Sequence, residues 1–520
     1  MLIFSLGSIN VQAQSGSVTD FDAEFLNWYN KDYSLNGVAG TSVNKAYDEL
    51  IAESNSNPPI IVAVIDGGVE IGHEDLIGKI WLNEDEIAGN GIDDDNNGYI
   101  DDLHGWNFIG NTKGENVNYE NLEFTRIVRK ADVNDPNYSK AKAALTEELN
   151  NKTEELNLVT RFTEVYQGAQ SIIYTQTGVL VESEEDLSEV NSTDEQVLAA
   201  KNFLQERFES GFSPEDLEEY ARYLSESVDY HLNLDYAPRS LVGDDPYDIN
   251  DTSFGNPDVA GPRADHGTSV AGVIAAVRDN DLGIDGIATK VQIMAIRSTP
   301  NGDERDKDVA LAIRYAVDNG ARIINMSFGK DFSPQKNFVD DAVRYAVNND
   351  VLLVHAAGND GKNIDEADNY PTPIYEDGQK ASTWLTVGAS ALTADKELAA
   401  PFSNYGAKNV DIFAPGVDIL STDMGNSYNL NDGTSLAAPV VSGVAALIWQ
   451  KYPSLSAEEL IDIILVSAKR FKQAKKVYLP GSSDAKQKNI KFSKLSKSGG
   501  VINAHAALEE AEKRVGREQN

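Results

Sequence analysis

Cysteine is absent from the 520-residue chain, which removes disulfides, thiolate zinc sites, iron–sulfur ligation and a cysteine nucleophile. That absence does not by itself choose a redox compartment. Basic residues are scarce: 44 Lys and Arg stand against 83 Asp and Glu, a formal net charge of −39. A nucleic-acid groove or an anionic lipid surface would have to overcome this field, so neither nucleic acid nor membrane is an expected partner. Past the N-terminus no apolar run reaches the ~18 residues a membrane helix needs. With 41% hydrophobic residues the chain can still bury a large core, and disorder throughout is excluded. The abundant carboxylates leave room for hard cations, calcium above all.

The first residues, MLIFSLGSINVQAQSG, hold a short apolar stretch and then Val11, Gln12 and Ala13, the small-x-small pattern of a signal peptidase site without the basic n-region. Residues 1–13 are read as a truncated signal peptide, with a frayed N-terminus as the alternative, and the location as secreted or periplasmic. From about residue 58, β-branched runs alternate with amphipathic stretches. This is the pattern of an α/β fold with a doubly wound, mostly parallel central sheet flanked by helices. IIVAVI, after Pro58 and Pro59, is apolar on both faces, as a central parallel strand requires. VQIMAI, RIINMSF, VLLVHAAG, WLTVGAS and VDIFAPG repeat the theme. Residues 112–245 break the rhythm with Glu-rich, Leu-spaced stretches such as KAKAALTEELNNKTEELNLVTRF, which have helical and not strand patterning. A large helical insertion is expected there, with a long acidic loop as the alternative. The body is expected over 14–510 and a charged tail over 511–520.

Three positions stand out chemically. Asp66 ends the first predicted strand, where open α/β sheets place their ligands, although Asp before Gly67 is also an ordinary turn. His266, in DHGTSVAGVIAAV, opens a helix whose small residues admit a neighbouring backbone; it is either a packed core histidine or a positioned base. Ser435, in NDGTSLAAPVVSGVAALIWQKYP, opens a long apolar helix, either as a cap or as a hydroxyl among free N–H groups that favour an oxyanion.

Taken together, Asp, His and Ser occur in the chain order of the subtilisin form of the serine-protease triad. VIDGGV, HGTSVAG and GTSLAAP resemble the Asp, His and Ser motifs of the subtilisin-like serine proteases, or subtilases, and AAGND supplies Asn359 at that family's oxyanion position. The resemblance covers about 58–110 and 250–470. It implies that Ser435 attacks a peptide carbonyl, His266 shuttles the proton, Asp66 orients the imidazole, and Asn359 with the Ser435 N–H binds the oxyanion. It further implies that Ser327, Phe328 and Gly329 pair with substrate backbone, and that Ala356, Ala357 and Gly358 wall an open primary pocket of apolar or broad specificity. The expected partners are thus protein or peptide substrates; nothing in the sequence assigns an oligomeric state. The rival is a catalytically silent subtilase fold serving as a calcium-stabilised binding module, against which retention of all four residues argues.

The chain departs from the family pattern in three places. Gly67 stands where Ser or Thr usually follows the Asp, Leu436 replaces the common Met after the nucleophile, and Asp66 and His266 lie 200 positions apart, which the insertion accounts for. That insertion is a candidate lid, specificity element or folding aid, or a peripheral decoration. With only about 50 residues between Ala13 and Asp66, a separate inhibitory prodomain is not expected. Finally, NGIDDDNNGYIDD sets Asp93, Asp95, Asn97, the Tyr99 carbonyl and Asp101 at the alternating spacing of a calcium loop, with Gly98 at its sharp turn. His104 occupies the position of the usual bidentate Glu, and Asp102 is expected to serve instead.

Overall fold

The computed structural model describes residues 15–51, 57–482 and 487–518; the signal segment expected over 1–13 lies outside them. The described residues form two compact units, one running from Phe124 to Ala237 and the other built from the residues between 15 and Glu123 and from Pro238 onward.

The larger unit is organised on seven strands: β1 (Ile60–Asp66), β2 (Gly105–Asn107), β3 (Val291–Arg297), β4 (Ile323–Met326), β5 (Leu352–Ala356), β6 (Trp384–Ser390) and β7 (Ile412–Pro415). They form one sheet in the order β2-β3-β1-β4-β5-β6-β7, and every pairing is parallel. An antiparallel hairpin follows, β8 (Ile419–Asp423) with β9 (Ser427–Asn431). The strand β2 escaped the sequence reading because its three residues, Gly-Trp-Asn, are too few to show a period. In chain order the helices are α1 (Tyr33–Asn36), α2 (Val43–Leu50), α3 (Glu123–Arg129), α4 (Tyr138–Thr177), α5 (Glu195–Phe208), α6 (Pro214–Glu226) and α7 (Arg239–Val242). They continue with α8 (Asp265–Ala275), α9 (Asp306–Asp318), α10 (Lys336–Asn348), α11 (Thr434–Lys451), α12 (Ala457–Val466) and α13 (Ala504–Glu518). The last of these runs through most of the segment read as a charged tail.

Side chains along a strand alternate between the two faces of the sheet. Val62 and Val64 of β1 share a core with Val270 and Ile274 of α8 and with Val440 and Val444 of α11. Ala63 and Ile65 share a second core with Ile313 of α9 and Val343 of α10. Two covered faces explain the continuous apolar runs of the strands. They also make this the α/β, subtilisin-like sheet flanked by helices that the sequence pattern implied.

The Phe124–Ala237 unit is helical, as its leucine spacing implied. The helix α4 has 40 residues and is therefore roughly 60 Å long. Its Tyr166, Ala169 and Ile173 form a separate core with Val197, Ala200 and Leu204 of α5. Gly178 ends α4 at φ +76°, a left-handed conformation that glycine adopts without strain, and its N–H closes on the Tyr174 carbonyl. Ser213 caps α6 through the Asp216 N–H, with Pro214 at the first helical position. The polar, aperiodic stretch before α5 carries only a short 3-10 turn at Glu185–Glu189. Residues 112–123 and 238–245, grouped with the insertion by pattern, fold with the larger unit.

Where the chain re-enters the larger unit, Arg239 is buried and forks onto two carboxylates. It reaches Asp244 at 2.6 Å through Nε and Nη2, and Asp308 at 2.6 and 2.7 Å. The Lys307 ammonium, fully buried, donates to Asp244 at 2.6 Å and to the Asp245 carbonyl at 2.7 Å. Both cations lie over the Phe254 ring, at 5.2 and 4.7 Å. Two cations and two anions balance here, so removing one leaves an uncompensated buried charge. Lys307→Met is expected to lower the unfolding free energy by about 3–5 kcal/mol, and Lys307→Met with Asp244→Asn by less than the single change. Urea unfolding at fixed pH checks this; equal losses would show that charge balance is not what holds the junction.

Candidate active site

Counting along β1 by twos, Asp66 follows Val62 and Val64 onto the face covered by α8 and α11. His266 is the second residue of α8 and Ser435 the second of α11, so the three side chains approach from one strand end and two helix starts. Close approach of α8 depends on glycine. A Cβ on Gly267 would lie 2.0 Å from the Gly68 carbonyl oxygen, and one on Gly68 2.0 Å from that of Ala260. Gly67 is also confined, since a Cβ there would meet the Arg263 and Thr299 carbonyl oxygens at 3.2 Å.

Asp66 is buried, and both of its carboxylate oxygens face His266 Nδ1, at 2.8 and 3.0 Å; the Gly67 N–H donates to Oδ1 at 2.7 Å. With Nδ1 occupied, Nε2 is left without a hydrogen-bond partner among the described residues. His266 and Ser435 line one small cavity of about 60 Å3, with Asp265, Asp423 and Asp432 around it. Among the described residues no hydrogen bond joins Ser435 to His266. Desolvation works to lower the imidazole. The charge and hydrogen bond of Asp66, joined by the charge of Asp265, outweigh it and raise the group from 6.5 to about 9. The side chain keeps 42% of its surface exposed, so water screens part of this attraction.

Support for Ser435 comes from an unusual place. Pro439 lies inside α11 and has no N–H, so the carbonyl four residues earlier, that of Ser435, loses its helical donor. The Ser327 hydroxyl takes that role at 2.8 Å. Asn325, fully buried on β4, donates to Ser327 Oγ at 2.9 Å and accepts from Ser442 Oγ of α11 at 2.8 Å. The alternation along β4 again explains this, because Asn325 and Ser327 share the α11 face. The Ser327 side chain therefore turns inward to the serine helix.

Asn359 is exposed, and its Oδ1 accepts from Thr434 N–H and Oγ1–H at 2.9 and 2.8 Å. This fixes the amide and leaves Nδ2 without an acceptor among the described residues. A Cβ on Gly433 would sit 2.6 Å from Ser435 Oγ and 3.5 Å from Asn359 Nδ2, so hydroxyl and amide flank one spot that only glycine leaves open. Phe328 is held through its carbonyl by His355 Nε2 at 2.8 Å; burial pushes His355 down to about 4, which keeps it neutral. Gly329 has no hydrogen-bond partner for its N–H or carbonyl among the described residues. Ala356 ends β5, and the Ala357 carbonyl accepts from Asn404 at 2.9 Å. The Gly358 N–H donates to Thr434 Oγ1 at 3.1 Å. Asn369 Oδ1, which no sequence pattern singled out, lies 3.7 and 3.5 Å from where a Cβ would stand on Gly329 and Gly358, and so bounds the space between them. A larger cavity, about 340 Å3, is lined by His355, Asp365, Asn369 and Tyr370 and includes neither His266 nor Ser435.

In the acidic loop between β1 and β2, the structure gathers Glu86, Asp95 and Asp102, with one oxygen of each within 4.8 Å of the others. These three carboxylates can hold a metal ion. Asn97 reaches Asp95 and Asp102 through its amide, at 3.0 and 3.1 Å, as does Asn83, at 3.1 Å to each. Asp93 and Asp101 turn away and cap backbone: Asp93 accepts from Asn97 and Gly98 N–H, and Asp101 from Asn90 and Gly91 N–H. The Tyr99 ring packs edge-on against Trp106 and Tyr315. Glu86 lies outside the spaced motif, which is why loop spacing did not reveal it.

The sequence model of the subtilase family (Peptidase_S8) matches residues 58–494. The chain belongs to the subtilase family. It is 40% identical over 223 residues to a thermophilic serine proteinase of Bacillus sp. (strain AK1), covering 42% of this chain and 49% of that protein. It is 38% identical over 196 residues to a thermostable alkaline protease of Halalkalibacterium halodurans, covering 38% of this chain and 50% of that protein. The chain thus spans about half the length of the curated relatives it matches. A solved protease structure from Pseudoalteromonas arctica is 28% identical with a TM-score of 0.36, covering 47% of this chain and 70% of that one. Among the described residues of this subtilase no helix is long and apolar enough to cross a membrane.

The ion pair makes one electrostatic prediction. A raised imidazole stays protonated at neutral pH and becomes a base as pH rises through its titration. Asp66→Asn removes the main charge and leaves desolvation, so the His266 midpoint is expected to fall by about 1–3 pH units, read from its ring NMR resonances. An unmoved midpoint would show that Asp66 does not set it.

Proposed function

We propose that this subtilase is a secreted serine endopeptidase. The observation that carries this reading is the convergence of His266, held by Asp66, and Ser435 on one cavity, with the Asn359 amide beside the hydroxyl. In the mechanism, Ser435 Oγ bonds to the peptide carbonyl carbon as its proton passes to His266 Nε2, and the negative oxygen is stabilised by Asn359 Nδ2–H and the Ser435 N–H. Asp66 stabilises the imidazolium. His266 then gives the proton to the leaving nitrogen as the C–N bond breaks, and water repeats the sequence to release the acyl group. Hydrogen bonds of this kind often tighten only with substrate in place, consistent with the open Ser435–His266 contact. The free backbone groups of Gly329 support pairing with an extended peptide, and the small Ala356, Ala357 and Gly358 support apolar or broad specificity. The 112–245 segment is read as an insertion into one peptidase body over 14–510.

A fluorophosphonate is expected to label wild-type protein at Ser435, mapped by mass spectrometry, and not Ser435→Ala. A folded wild-type protein that does not label would favour the silent binding module.

The acidic loop is read as a structural calcium site held by Glu86, Asp95 and Asp102. The donor set supports this, because three carboxylates flanked by amides and no nitrogen or sulfur ligand suit a hard cation. A bound ion would offset the repulsion of these carboxylates and stabilise the folded state, by about 2.7 kcal/mol at a hundred times its dissociation constant. Chelation is therefore expected to lower the melting temperature and speed autolysis in wild type but not in Glu86→Gln with Asp95→Asn. Identical melting with and without chelator would rule the site out.

A further inference from the structure

We propose that Lys330 is a positioning residue for substrate binding: its buried ammonium holds the segment along which an extended peptide would lie to Glu123 and to the start of α9. This rests on the peptidase reading above. Lys330 follows Gly329 directly, and its side chain is 2% exposed. The ammonium donates to Glu123 Oε2 at 2.9 Å and to the Glu304 carbonyl at 2.8 Å, and pairs with Asp306 Oδ1 at 2.9 Å. Two hydrogen bonds and a second ion pair thus compensate a desolvated ammonium.

Each partner is itself fixed. Glu123 begins α3 and is the last residue before the Phe124–Ala237 unit; its N–H donates to Asp303 at 2.7 Å. Asp306 begins α9 and accepts from Ser333 Oγ at 2.9 Å and Gln335 N–H at 2.8 Å. Three residues before Glu123, Glu120 accepts from Arg305 at 2.9 Å. The Lys330 backbone exchanges both hydrogen bonds with Tyr370, each 2.9 Å, and so stands next to Asn369, which bounds the space between Gly329 and Gly358. Lys330 thus joins Glu123, the start of α9 and Tyr370.

The segment 327–330 is held at two ends by different means. Ser327 and Phe328 are tied to α11 and β5 by Ser435 and His355, which belong to the catalytic side. Beyond Gly329, the Lys330 ammonium adds a buried side-chain anchor to the backbone pairing with Tyr370 and to the bonds of Ser333 and Gln335 to Asp306. Without the ammonium, the buried carboxylates of Glu123 and Asp306 would lose the cation they share and the outer end would shift. A small reagent that attacks Ser435 needs none of this strand, whereas an extended peptide must align with it. Loss of Lys330 should therefore weaken peptide binding and spare the nucleophile.

The test compares wild type, Lys330→Met and Glu123→Gln by steady-state kinetics on a peptide spanning four residues before the cleaved bond, and by the rate of fluorophosphonate labelling. In Lys330→Met, KM is expected to rise about tenfold with kcat and the labelling rate within about twofold. Glu123→Gln, which leaves the ammonium paired with Asp306, should shift KM in the same direction by a smaller factor. An unchanged KM with only a lowered melting temperature would overturn the proposal, as would KM and labelling failing together in folded protein. If Lys330→Met does not fold, Glu123→Gln decides: a raised KM with unchanged labelling supports the proposal and an unchanged KM overturns it. Wild-type protein that never labels at Ser435 would instead overturn the peptidase reading, and this inference with it.

Discussion

The two-residue alternation of side chains along parallel strands is the constraint on which the rest of this structure depends. On β1 it sends Val62, Val64 and then Asp66 to the face covered by α8 and α11, and on β4 it sends Asn325 and Ser327 to that same face. His355 on β5 has the opposite parity, and its imidazole serves the Phe328 carbonyl. A one-residue slip of β1 would bury an isoleucine where the carboxylate stands and turn Asp66 toward α9. The apolar cores on both faces make such a slip costly, and they thereby also hold the Asp66–His266 pair in register.

Given that register, the remaining placement is done by residues that remove atoms. Gly267 lacks the Cβ that would hold α8 away from the end of β1, and Gly68 the one that would collide with the Ala260 carbonyl. Gly433 leaves open the spot between Ser435 Oγ and Asn359 Nδ2. Pro439 lacks the N–H that would have bound the Ser435 carbonyl, which frees it for Ser327. The serine helix is thereby tied to the sheet by a hydrogen bond that an uninterrupted helix would have kept to itself.

A chain with a net charge of −39 must also arrange its carboxylates. Where the chain leaves for and returns from the helical unit it does so with buried cations, Lys330 and Arg305 on one side and Arg239 and Lys307 on the other. These pairs carry a desolvation cost that good geometry and further hydrogen bonds must offset. They specify which carboxylates are buried on either side of the 114-residue excursion, Phe124–Ala237. Elsewhere three carboxylates, Glu86, Asp95 and Asp102, gather in the acidic loop.

The sequence by itself determined the fold class, since apolar runs of strand length between amphipathic helices admit few architectures. It also placed Asp66 at a strand end and His266 and Ser435 at helix starts, because those positions are set by local pattern. It marked the insertion as helical through leucine spacing. What the tertiary structure decided is everything that depends on distant residues meeting. Ser327 facing the serine helix, Asn369 bounding the space between Gly329 and Gly358, Glu86 standing with Asp95 and Asp102 in the acidic loop, and Lys330 bridging to Glu123 have no local signature. Each partner lies far along the chain or outside the motif's spacing. Local periodicity reports which face a residue occupies, but only the packed sheet and its crossovers determine what stands opposite that face.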